Sequence, residues 1–261
     1  MTHITRHREG FGPGRTVITS RKDETGIGFS ILALAAGENL TLHTTCETAL
    51  LHLSGTIELS IDENTLTNQR HSLFDEPPFA LHCATGNSFT VKSGSDAEFA
   101  LFETENPDAF PTAIFRRAED EHRGRGLVGE TALRYVRTIF DNSNSHPKSR
   151  LVLGEVVNFP GRWSSYPPHH HPQPEIYHYR FTNSQGYGHA ELGDAVFKVR
   201  PFDTLKITDN KDHAQCAAPG YGMYYIWVIR HLEALRYTVP EFTEEHRWTM
   251  EPDAAFWNPL S

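Results

Sequence analysis

Apolar and polar positions alternate in short bursts along this chain. Stretches of four to eight β-branched, aliphatic and aromatic residues recur at 27–34, 49–53, 56–61, 89–92 and 97–102. The same style returns at 151–157, 176–181 and 223–229, always with Gly, Pro, Asn or Asp between the runs. Runs this short at this spacing predict an all-β chain built as sandwiches or barrels. Helical periodicity is confined to short pieces, expected at 130–140 and around 238–246.

The polar segment 116–130 contains almost nothing to bury and reads as a linker between two halves. We therefore expect an N-terminal module over 1–115 and a C-terminal module over 131–261. The halves also resemble each other. His169, His171, Glu175 and His213 of the second half match Thr41, His43, Glu47 and His82 of the first in order. The offset is 128 residues for His43 to His171 and for Glu47 to Glu175, and 131 for His82 to His213. Several matches in one order point to a duplicated module far longer than any solenoid repeat.

A net charge of −9 disfavours a nucleic acid or anionic membrane as partner. No run of about 18 apolar residues is present to span a bilayer. The polar first residues lack the apolar stretch of a secretory signal. Cys46, Cys83 and Cys216 are too scattered for a disulfide framework. A cytoplasmic protein is expected. The unusual figure is 16 histidines, five of them between His169 and His189. Histidine supplies metal ligands and proton carriers near neutral pH.

Within that cluster, extended backbone points His169 and His171 to one side and His170 to the other. Pro172 and Pro174 favour a turn, so Glu175 can start a neighbouring segment facing the same point. His213 from a distant strand would complete three nitrogens and one carboxylate. That set suits one divalent ion (Zn, Mn, Fe, Co or Ni) with positions left for water or substrate.

The ligand order, HxH and Glu followed by a later His, resembles the cupin superfamily. The flanks Pro160-Gly-Arg-Trp-Ser-Ser-Tyr-Pro-Pro-His169, Glu175-Ile-Tyr-His-Tyr-Arg-Phe181, Gln185-Gly-Tyr-Gly188 and Ala218-Pro-Gly-Tyr221 narrow it. With Leu34-Ala-Ala-Gly-Glu38, Asp75-Glu-Pro-Pro-Phe-Ala-Leu81 and Arg134-Tyr-Val-Arg-Thr-Ile139, they resemble the 5-deoxy-glucuronate isomerase family of inositol catabolism. The resemblance implies a bicupin: two jelly-roll β-barrel modules in one chain with a few short helices. It implies isomerisation of 5-deoxy-glucuronate to 5-keto-2-deoxy-gluconate at a metal (Zn, Mn or Fe) held by His169, His171, Glu175 and His213. Against the family pattern, His170 replaces Lys, Pro172 an acidic residue, Pro174 a Glu and Trp227 an Asn. A Trp227 facing the cavity would make the pocket smaller and less hydrophilic.

An aldose–ketose isomerase needs an electrophile for the carbonyl oxygen and a group that moves a proton between adjacent carbons. Tyr177, on the strand face of Glu175, and Lys206 are the candidates for the proton carrier. A carboxylate substrate calls for an arginine, with Arg180 expected first and Arg134 second. With Thr41 in place of the first histidine, the first module is expected to lack a full metal site. The rival readings are a uronate ketol-isomerase, an Fe-dependent oxygenase and a sugar-acid binding module without turnover. The partner is a small sugar acid, and a homo-oligomer is the default for a metabolic enzyme.

Overall fold

The computed structural model describes residues 3–116, 121–123 and 128–259. Antiparallel strands form two modules, each with a large and a small sheet, and the two large sheets pack face to face. In the first module the 15-residue strand Glu47–Ile61 serves both sheets. Its first half pairs with Ala80–Cys83 and Ala97–Thr104, its second with Asn64–Arg70 and Ser88–Ser93. The runs at 49–53 and 56–61 are thus one strand, bent at Gly55, whose φ is +99°. Any Cβ there would lie 2.4 Å from the Asp96 carbonyl, so only glycine fits the bend.

The large sheet of the second module runs, edge to edge, through Ile4–Arg6, Asp203–Ile207, Glu175–Phe181, Met223–Arg230, Leu151–Asn158, Arg134–Phe140 and Glu121–Arg123. The small one runs through Ala195–Val199, Gly188–Leu192, His213–Ala217, Trp163–His170 and Glu241–Phe242. Strand Ile4–Arg6 pairs with Asp203–Ile207, so the start of the chain joins the second module's sheet, which a division at residue 115 does not anticipate.

The central strands Leu151–Asn158 and Glu175–Phe181 are buried at every position. One face fills the second barrel with Tyr177, Tyr179, Tyr225, Val136 and Val156. The other packs Ile176, Leu151, Leu153 and Ile226 onto Ile27, Phe29 and Ile31 of the first module. Two apolar faces explain why these segments read as continuous runs rather than clean alternation.

The stretch 130–140, expected as helix, is strand Arg134–Phe140 after a 3-10 turn at Val128–Glu130. Pairing on both edges, with Leu151–Asn158 and Glu121–Arg123, overrides its local periodicity. Around 238–246 the chain forms the two-residue strand Glu241–Phe242 and enters a 3-10 helix at Glu244–Met250. Residues 117–120 and 124–127 of the expected linker lie outside the described residues. Trp248 and Trp257 are exposed, so neither belongs to a core. No described helix is long and apolar enough to cross a membrane.

A buried ion cluster fastens the modules. The Glu155 carboxylate accepts from Arg70 Nη2 at 2.7 Å, Arg137 Nη1 at 3.0 Å and the Tyr224 hydroxyl at 2.7 Å. Both guanidinium groups also donate to main-chain carbonyls, among them those of His52, Leu73, Phe74 and Glu76. Glu155→Gln leaves two buried cations without their counter-charge, which costs about 3–5 kcal/mol. Urea unfolding checks this, and a loss below about 1 kcal/mol would show that the cluster contributes little.

Candidate metal centre

His169 meets His213 because strand Trp163–His170 carries extra residues. Ser164 lies opposite Gln215 and His169 opposite His213, so five steps along one strand answer two along its partner. The surplus forms a bulge in which Ser165 takes a φ of +59°. His171 follows the end of this strand. The ligand-capable nitrogens of His169, His171 and His213 lie within 4.8 Å of one another, and all three residues are buried. Glu175, the first residue of the facing strand, brings Oε2 to 3.2 Å from His171 Nε2 and 3.4 Å from His213 Nε2.

The proton accounting shows what this cluster lacks. Each imidazole sets Nδ1 against a main-chain carbonyl: His169 on Ser165 at 3.2 Å, His171 on Gln173 at 2.9 Å and His213 on Lys211 at 3.0 Å. A carbonyl only accepts, so Nδ1 carries the hydrogen and a neutral ring presents a lone pair at Nε2. His213 Nε2 is buried and faces the Glu175 carboxylate at 3.4 Å. Burial would raise the Glu175 carboxyl, but the bonds and charges of His171 and His213 hold it down to about 2. Burial, then the neighbouring His213, pushes His169 well below the usual histidine value, which opposes protonation there. His171 and His213 Nε2 face the Glu175 carboxylate at 3.2 and 3.4 Å, so each either bridges it through a proton or, with its lone pair presented, shares a cation with it. The residues fit a divalent metal, and nitrogen-rich donors favour a transition metal such as Zn or Fe over Ca or Mg. No other such cluster occurs among the described residues.

A cavity of about 110 Å³ opens beside the histidines. Tyr177, Trp227 and Arg134 line it, as do Tyr225, Tyr237 and Phe242, which sequence reading missed. Burial, then the Glu175 charge, pushes the Tyr177 hydroxyl well above its usual value, so it remains a phenol and a donor rather than a base. Tyr225 hydrogen-bonds through its hydroxyl with Ser164 and Ser165. Its place in the pair Tyr224–Tyr225 gave no sign which ring faced the cavity. Tyr237 sets its ring 4.9 Å from that of His171. Strand Glu241–Phe242 lies against His169 and His170, so the C-terminal segment forms one wall of the cavity. No motif in that segment announced this.

Two expectations are corrected. Lys206 lies opposite Ile176 in the sheet register, on the face away from Glu175 and Tyr177. Its ammonium pairs with Glu24 at 2.8 Å and Asp23 at 3.4 Å in the first module, so it cannot carry the proton. Arg180 falls on that same outward face. It bonds Glu98 and His178 and stacks 4.4 Å from the Phe202 centroid, a junction between modules rather than a substrate anchor. Arg134 is the arginine in the cavity. His170 points away from the centre and is held by Asp212 at 2.7 Å and Glu241 at 3.2 Å.

The first module does not repeat the centre. Thr41 and His43 are exposed on strand Asn39–His43. Glu47 and His82 meet at 2.8 Å, but the carboxylate is saturated by Asn106, Ser149 and the amides of Arg150 and Leu151. The His82 ring stacks on Phe140 at 4.3 Å. This pair clasps the second module.

The family model for the KduI/IolB family matches residues 3–249. A 5-deoxy-glucuronate isomerase of Bacillus subtilis subsp. natto is 30% identical over 234 residues, 82% of this chain and 84% of that protein. The enzyme of that name from Geobacillus kaustophilus is 26% identical over 249 residues, covering 88% and 87%. An IolB-like protein from Salmonella typhimurium superposes with a TM-score of 0.83 at 23% identity, over 95% of this chain and 99% of that one. A Bacillus subtilis oxalate decarboxylase superposes with a TM-score of 0.62 at 12% identity, over 93% and 78%, which shows the bicupin fold alone.

Proposed function

This chain belongs to the KduI/IolB family, and from that premise we propose that it is a metal-dependent aldose–ketose isomerase converting 5-deoxy-glucuronate to 5-keto-2-deoxy-gluconate. The observation that carries the reading is the buried cluster of His169, His171 and His213 nitrogens with the Glu175 carboxylate, opening on a cavity that holds Arg134. One end suits a carbonyl and its neighbouring hydroxyl, the other a carboxylate.

The reaction moves a proton from C2 to C1, while the C2 hydroxyl becomes a carbonyl and the aldehyde oxygen becomes a hydroxyl. His169, His171, Glu175 and His213 would hold the metal, which supplies a Lewis acid for the two reacting oxygens. Arg134 holds the carboxylate and fixes the sugar chain along the cavity. Tyr177 donates a hydrogen bond to the oxygen that gains negative charge. Phe242 and Tyr237 close the cavity against bulk water and protect the enediol from side reactions.

The test uses purified protein loaded in turn with Zn, Mn and Fe and given 5-deoxy-glucuronate. Conversion to the ketone, followed by NMR and abolished by a chelator, is expected. Oxygen consumption with Fe(II) would move the chain to the oxygenases. Turnover of a ketouronate alone would identify the sister isomerase, and binding without conversion a sensing module.

A further inference from the structure

We propose that the Tyr225 hydroxyl, acting through Ser165, is the positioning group that keeps His169 turned toward His171 and His213, so that metal affinity depends on a hydroxyl of the opposite sheet. The inference rests on the metal reading of the site and concerns what holds that site in shape. Two of the three imidazoles are anchored by their immediate neighbours. His171 donates to the carbonyl two residues after it, and His213 to the carbonyl two residues before it. His169 instead donates to the Ser165 carbonyl, four residues back across the bulge. Strand pairing does not fix that carbonyl, because the ladder stops at Ser164 and resumes at His169. Ser165 itself has a φ of +59°, a conformation that residues with a side chain seldom keep without outside support.

Tyr225 supplies the support. It stands on strand Met223–Arg230 of the large sheet, while the bulge belongs to the small one. Its hydroxyl reaches from one sheet to the other and hydrogen-bonds with Ser164, the last paired residue, and Ser165, the first of the bulge. The Ser165 side chain is tied there at 3.3 Å, and the carbonyl of the same residue receives the His169 Nδ1 hydrogen at 3.2 Å. The Tyr225 ring is packed independently of its oxygen, edge-on to Tyr177 at 5.2 Å and 5.9 Å from Tyr179. Removing the hydroxyl alone therefore keeps the packing and releases Ser165. Groups that orient a ligand histidine through its second nitrogen are worth about 10- to 100-fold in metal affinity. Tyr179 provides the contrast. It is buried on the same barrel face one strand away, and its hydroxyl donates instead to Gln215 at 2.6 Å.

The experiment titrates metal-free protein with Co(II), reading affinity by competition with a chelator and ligand geometry from the visible absorption bands. Tyr225→Phe should bind Co(II) about tenfold more weakly than wild type, with shifted bands. Ser165→Ala, which removes no core side chain, should do the same and decides the matter if Tyr225→Phe fails to fold. The double variant should be no weaker than Tyr225→Phe, since both changes break one link. Tyr179→Phe should lose stability, because it takes the donor from the buried Gln215 oxygen, yet keep the wild-type affinity and bands. Wild-type affinity and bands in Tyr225→Phe and Ser165→Ala overturn the proposal. Effects that add in the double variant, or an equal loss of affinity in Tyr179→Phe, overturn it as well. A wild type that takes up no metal overturns the metal reading, and this proposal with it.

Discussion

His213→Ala is expected to empty the metal centre, taking bound metal from one ion per chain to nearly none and turnover down by about 1,000-fold or more. The ligand removed is the buried one that strand His213–Ala217 brings from the distant part of the chain to face His169 and Glu175. Stability supplies an independent reading. A bound ion stabilises the native state in proportion to the logarithm of its concentration over its Kd. Added Zn or Mn should therefore raise the wild-type Tm and leave that of His213→Ala unmoved. In the absence of metal the variant should be somewhat less stable, because it leaves a cavity at a fully buried position and takes a partner from Glu175. His170→Ala and His43→Ala are the controls: one imidazole is turned to Asp212 and Glu241, the other is exposed on the first module. Full metal content in His213→Ala, or its loss in His43→Ala, would place the centre elsewhere.

Arg134→Ala should raise KM for the sugar acid by roughly 10- to 100-fold, the worth of a charge-assisted hydrogen bond, with kcat changed far less. Arg134→Lys should recover part of that loss, since an ammonium keeps the charge but not the planar fork. Arg180→Ala should behave oppositely. It leaves Glu98 at a buried junction without its cation, so stability falls while KM holds. Steady-state kinetics with thermal denaturation on both variants separates the roles. A KM effect confined to Arg180→Ala would return the carboxylate to that residue.

The exchange of these two arginines shows how far period-2 reasoning reaches. Alternation put Tyr177 with Glu175 and turned His170 away from its neighbours, as the structure has them. The same period puts Arg180, five residues from Glu175, on the opposite face, so the strand's own alternation turns it from the metal side and leaves the carboxylate to an arginine of another strand. Lys206 failed because its register against Ile176 is set by a strand some 30 residues away in sequence. The strand at Arg134–Phe140 was hidden differently. Its apolar spacing suited a helix, and only two-sided pairing made it a strand.

By itself the sequence determined what is local and chemical: an all-β chain, a duplicated ligand order, and three histidines with a carboxylate at spacings that strands can bring to one point. The tertiary structure alone decided which of these groups face one another. It used the bulge at Ser165 to set His169 opposite His213, spent Glu47 and His82 on the joint between modules, and laid the C-terminal segment over the cavity. The physical reason is that ligation and hydrogen bonding act over about 3 Å. A sequence fixes the kinds of side chain and their order along a strand, but the register and packing of distant strands fix separations on that scale.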